Sequence, residues 1–196
     1  MLVQMPDYPV KQVELPAKPI TVKEFEAFLR RPENQDRRFE LILGRIVERM
    51  PTEEHGTIAL TLGSTIRAYV KQHQLGRVGV EIRHGLSTDP LNSRMPDISF
   101  ISGKRAAVTE GAVPQMPDLA IEVRSPADSI KAMREKAHYY LANGTSLVWL
   151  VFPHKRYIEV YTPDHEMEVF FGDDLLTGGD VLAGFSMSVT EVFADL

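Results

Sequence analysis

Residues 147–152 read Leu-Val-Trp-Leu-Val-Phe, six apolar side chains in succession, closed by Pro153. Side chains alternate faces along a strand, so a strand without a polar position is one buried on both faces. The chain must therefore build a sheet with material packed on either side. With 196 residues, 43% of them hydrophobic, it is long enough to do so. One domain over residues 21–196 is expected.

The flanking sequence supplies the remaining elements. Apolar residues recur at helical spacing in two long segments. Ile58, Leu62, Ile66, Tyr69 and Val70 mark a helix over 54–72, ended by Gly76. Ile130, Met133, Ala137, Tyr140 and Leu141 mark another over 129–142, stopped by Asn143-Gly144. Strand patterns fall at 78–83, 98–101, 119–123, 157–161 and 167–171. Upstream, Thr21-Val22-Lys23-Glu24 has the form of a capping box that opens a short helix before Pro32. Residues 38–50 pattern as a hairpin around Gly44, and Thr190 is placed to cap a last helical turn. The spacing of Pro6, Pro9, Pro16 and Pro19 predicts an extended arm over 1–20, without the apolar stretch of a secretory signal. No segment approaches the roughly 18 apolar residues of a spanning helix, so no membrane contact is expected. The fold class that follows is α/β (α+β), a mixed central sheet flanked by helices, with an N-terminal helix and hairpin and C-terminal strands.

The chain contains no cysteine, which excludes disulfides, thiolate zinc sites and cysteine nucleophiles and fits a reducing cytoplasm. Any metal would be held by oxygen or imidazole. Two carboxylates stand out. Asp97 sits behind Pro96 at the mouth of the 98–101 strand, and Glu122 lies inside the apolar strand 119–123, where an unpaired charge is costly to bury. Alternation puts Ala120, Glu122 and Arg124 on one face. Neighbouring carboxylates repel, and a magnesium or manganese ion between them removes the repulsion while activating water and steadying charge on a phosphate. Glu122 is equally able to form a structural ion pair with a basic side chain. Lys136, on the flank of its helix, and Arg124 compete to supply the positive group; lysine is the better proton shuttle because its pKa can shift. Glu53 and Glu54 favour a helix N-terminus, with Glu54 and His55 as lesser candidates to face the same cleft. Glu40 and Glu48 are expected to be exposed on the hairpin, with entry into the site as the lesser alternative.

The net charge of −5 argues against a purely electrostatic grip on nucleic acid, but residues 71–136 hold ten Lys and Arg against eight Asp and Glu, a local +2. No glycine-rich phosphate loop, Gly-x-Ser-x-Gly elbow or His-Glu-x-x-His helix is present.

These residues carry a resemblance. The run Phe39-Glu40-Leu41-Ile42-Leu43-Gly44-Arg45-Ile46-Val47-Glu48, then Pro51, His55, Pro96-Asp97-Ile98, Glu122-Val123-Arg124-Ser125-Pro126, Lys136, Tyr139 or Tyr140, and Val148-Trp149-Leu150-Val151 together resemble the Uma-two family of restriction-endonuclease-like proteins. The resemblance spans almost the whole chain. It implies the PD-(D/E)XK nuclease fold, whose order of helix, three strands, helix and strand matches residues 54–152. It implies further that Asp97 and Glu122 bind Mg2+ or Mn2+ and that Lys136 replaces the lysine usual at the position of Arg124. It also implies that the chain acts on nucleic acid, DNA ahead of RNA, as a homodimer or higher homo-oligomer. A nuclease fold that acts by nucleic-acid or protein binding alone is the competing expectation.

Overall fold

The computed structural model describes residues 18–104, 106–165 and 167–196, so all but the end of the expected 1–20 arm lies outside it. Its centre is a six-stranded sheet ordered β3 (Gly76–Val80), β4 (Ile98–Ser102), β5 (Leu119–Val123), β6 (Leu147–Phe152), β7 (Tyr157–Tyr161) and β8 (Glu168–Phe171). Strands β5 and β6 are parallel and the other neighbours antiparallel. A parallel pair needs a long crossover, and α3 (Ile130–Ala142) provides it. The mixed sheet flanked by helices is the architecture the sequence predicts.

Strand alternation sorts the core into two layers. Leu119, Ile121, Val123, Leu147, Trp149 and Val151 face α2 (Glu53–His73) and the C-terminal β9 (Leu175–Gly178), β10 (Leu182–Ser188) and α4 (Val189–Val192). Ala120, Val148, Leu150 and Phe152 face Met133, Ala137 and Tyr140 of α3. Every residue of β6 is buried, which explains its unbroken apolar run. A third cluster joins Phe25 and Phe28 of α1 (Val22–Leu29) to Phe39 and Leu41 of β1 (Arg38–Ile42) and Ile46 of β2 (Arg45–Arg49). This hairpin pairs with no strand of the central sheet, and Leu41 bridges Ser93 instead.

Three boundaries differ from expectation. The strand predicted at 78–83 runs from Gly76 to Val80, because Glu81 turns out of it with φ of 50°. Helix α2 is ended by Gln74 in the left-handed conformation rather than by Gly76, whose extended backbone opens β3. The last helical turn is capped by Ser188 with Glu191, and Thr190 lies inside it.

Gly76 owes its identity to close approach: a Cβ there would lie 2.1 Å from the Ile101 carbonyl oxygen. Gly76→Ala must push β3 off β4, an overpacking cost of about 1–3 kcal/mol. At roughly 2–4 °C per kcal/mol for a chain of this size, thermal denaturation should show a midpoint lower by several degrees. An unchanged midpoint would contradict this strand contact.

Candidate active site

The pairing of β4 with β5 is recorded from Phe100↔Leu119 to Ile98↔Ile121. Continued one step, the register sets Asp97 opposite Glu122, and one step further sets Pro96 opposite Val123. There the Asp97 side chain takes over the ladder, its Oδ2 accepting the Val123 backbone N–H at 2.7 Å. The same oxygen lies 3.0 Å from His55 Nε2 in the first turn of α2. Asp97 is thus held rigidly, and Oδ1 accepts no hydrogen bond among the described residues.

Glu122 is fully buried on the α3 face. Its Oε1 accepts from the Tyr140 hydroxyl at 2.8 Å and its Oε2 from the Lys136 ammonium at 2.7 Å. Lys136 and Tyr140 are four residues apart on α3 and so share a face. The buried side of α3 is Met133, Lys136, Ala137 and Tyr140; Ile130, expected on the stripe, is 39% exposed. The helix is rotated so that lysine sits inside, not on the flank.

Two further groups complete the cluster. Glu40 of β1, expected to be exposed, is fully buried; its Oε1 accepts the Met95 N–H at 3.0 Å and its Oε2 the Lys136 ammonium at 3.2 Å. Arg49, at the end of β2, was not anticipated. Its guanidinium lies 3.6 Å from Glu40, 3.4 Å from Glu122, 3.9 Å from Asp97 and 3.4 Å from Asp128. Glu48 instead pairs with Arg37, and Glu54 is exposed. Arg124 lies just past β5, and its Nε donates to the Asp128 carbonyl at 2.8 Å, bracing the 125–128 turn. The structure therefore brings Asp97, Glu122, Lys136, His55 and Glu40 together and directs Arg124 into the neighbouring turn.

The electrostatics follow from this packing. Burial, with the like charges of Glu40 and Asp97, pushes Glu122 up against the pull of Lys136. Burial also works against Glu40 and Asp97, yet Lys136 and Arg49 hold the first below the usual carboxylate range and His55 holds the second there. Lys136 and His55 are raised despite their burial, by the Glu122 and Asp97 carboxylates respectively. The cluster opens on a cleft of about 390 Å³ lined by Glu48, Arg49, His55, Asp97, Ser125 and Asp128, among others. A larger cavity of about 570 Å³ lies at the other end of β5, around Asp118 and Leu147, away from these groups.

Carboxylate oxygens suit a hard divalent cation, and Asp97 Oδ1 is engaged by the Arg49 guanidinium alone, at 3.9 Å, among the described residues. The donor chemistry fits such an ion. No three Asp, Glu or His side chains converge as a metal cage among the described residues, and Arg49 spans the gap between Asp97 and Glu122.

Comparison with known proteins agrees with the geometry. The model of the Uma2 family, “Putative restriction endonuclease”, matches residues 25–190. A solved structure described as “a putative nuclease belonging to DUF820 from Anabaena variabilis ATCC 29413” is 30% identical, covers 90% of this chain and 98% of that chain, and has a TM-score of 0.75. No curated protein matches at a significant level.

Removing one partner of a buried charge pair is expected to cost about 3–5 kcal/mol, whereas replacing both by apolar or neutral groups costs much less. Lys136→Met should lower stability to urea by that order, and Lys136→Met with Glu122→Gln should recover a good part of the loss. A double variant no more stable than Lys136→Met would show that the two groups do not depend on each other.

Proposed function

The chain belongs to the Uma2 restriction-endonuclease family, and on that premise we propose that it is a divalent-cation-dependent endonuclease hydrolysing DNA phosphodiester bonds. The observation that carries this reading is the pair Asp97 and Glu122, brought side by side with Asp97 on the cleft, Glu122 buried behind it and Lys136 on the second acid. A magnesium or manganese ion bound there would supply an activated water and charge for the phosphoryl oxygens.

The residues have separate tasks in this reading. His55 and the Val123 N–H fix Asp97 through Oδ2, so that Oδ1 is the oxygen that would meet an ion. Lys136 and Tyr140 fix Glu122, and the Lys136 charge opposes the rise that burial imposes on its carboxyl. Lys136 is thereby the lysine that position 124 lacks, and it reaches the acid from the helix instead of the strand. Arg124 acts one layer out, shaping the turn that walls the cleft. Glu40 shares the lysine and ties the hairpin to the site. Assembly as a homodimer, which places two sites on two strands of a duplex, belongs to the same reading.

A second reading is favoured by one observation: Arg49 and Lys136 already compensate the acids, as suits a fold that binds nucleic acid without cutting it. Incubation of plasmid and single-stranded DNA with Mg2+, Mn2+ or EDTA separates the two. Cation-dependent nicking should fall by about a hundredfold or more in Asp97→Asn and Glu122→Gln, both checked for native circular dichroism. Wild-type protein that nicks no faster than these variants contradicts the enzyme, and preferential cutting of RNA in parallel reactions contradicts the substrate.

A further inference from the structure

Four acids surround the cations of the site: Glu40, Asp97, Glu122 and Asp128. Lys136 and Arg49 are the fixed cations among them, Lys136 on Glu40 and Glu122 and Arg49 on all four. Arg49, lying between Asp97 and Glu122, offsets the attraction these two acids would offer a dication, and a guanidinium and a divalent ion repel each other at the same 3–4 Å separation. One cation must give way before a metal ion can settle between Asp97 and Glu122.

The two fixed cations are not equally able to leave. Lys136 is 6% exposed and pinned at 2.7 Å and 3.2 Å between two buried carboxylates. Arg49 stands on the cleft wall, its contacts to Glu40, Asp97 and Glu122 are 3.4–3.9 Å long, and its Nη1 already reaches Asp128 on the outer side. Guanidinium is also the more weakly hydrated cation, so it exchanges partners at lower cost.

We infer that Arg49 is a resident counter-ion: in the metal-free protein it holds the position between Asp97 and Glu122, and it swings to the Asp128 side of the cleft when a divalent cation binds. This rests on the reading of Asp97 and Glu122 as metal ligands. Arg49 is here a gating residue that acts through the carboxylates. Its presence weakens metal affinity, so that the site is loaded only where the ion is plentiful, and it spares the metal-free chain the repulsion of opposed acids.

Mn2+ binding to the full chain, followed by electron paramagnetic resonance of the free ion, tests this without any cleavage. Arg49→Met should bind Mn2+ at least about tenfold more tightly than wild type, because one competing charge is gone. Arg49→Lys, which keeps the charge, should stay within about threefold of wild type, and Asp97→Asn should abolish binding in either background. Mn2+ that binds wild type through Asp97 but binds Arg49→Met no better overturns the gate and leaves the metal site standing. Failure of Mn2+ to bind any of the proteins overturns the metal reading and the gate with it. Should Arg49→Met not fold, the wild type decides through its arginine side-chain 15N resonances. The Arg49 Nε–H signal, identified by its loss in Arg49→Lys, should move to a new chemical shift on saturation with Mg2+ as the guanidinium leaves Asp97 and Glu122 for Asp128. A signal unmoved at saturation overturns the inference.

Discussion

The Lys136 ammonium lies between two fully buried carboxylates, Glu40 of the hairpin and Glu122 of the central sheet, and so joins three elements at one point. None of the three charges is tolerable alone away from water. Glu122 needs a cation because it stands in an apolar strand, Lys136 needs anions because it stands on the inner face of α3, and Glu40 needs a cation because the hairpin closes over it. The hairpin pairs with no strand of the sheet, so this ion network, with the Leu41–Ser93 bridge, fixes its position over the site.

The sheet explains why the acids meet there. Alternation places Glu122 on the α3 face, and the antiparallel register of β4 on β5 carries Asp97 to the position opposite it. The parallel step from β5 to β6 then requires a crossover, and the crossover helix lays Lys136 and Tyr140 over the end of β5 where Glu122 emerges. A second acid, Glu159 on β7, is likewise met from α3, by Arg134, but it stands two strands away and opens on no part of the cleft. Buried acids on this face are matched with α3 cations as a matter of packing; the cluster at the strand ends, where the ladder stops, also adjoins the cleft, through Asp97.

Much of this was legible in the chain. The unbroken run Leu147–Phe152 announces a doubly covered strand, and the acids at Asp97 and Glu122 stand out because strands so apolar rarely carry charge. The helices were legible from their spacing to within a residue or two at each end. What stayed hidden depends on contacts distant in sequence. Glu40 alternates with Phe39 and Leu41, the pattern of a strand with one wet face, but the supposed wet face is covered by Met95 and Lys136. Arg49 follows a hairpin and precedes Met50-Pro51 with nothing local to mark it; the one available signal was that buried acids outnumber the lysine identified to balance them. Arg124 was placed by strand alternation beside Glu122, but the strand ends at Val123 and the side chain turns to the Asp128 carbonyl. Both ends of β3 were missed because a close approach at Gly76, where it starts, and a positive φ at Glu81, where it stops, leave no periodic trace.

The account stands on the claim that Asp97 and Glu122 hold a divalent cation. Crystals grown with Mn2+ and measured at the manganese absorption edge test it most directly. The account predicts an anomalous peak about 2.0–2.4 Å from a carboxylate oxygen of each residue, the range of oxygen bonds to small divalent ions. A peak bound elsewhere, with the two carboxylates still joined through Arg49, would contradict it.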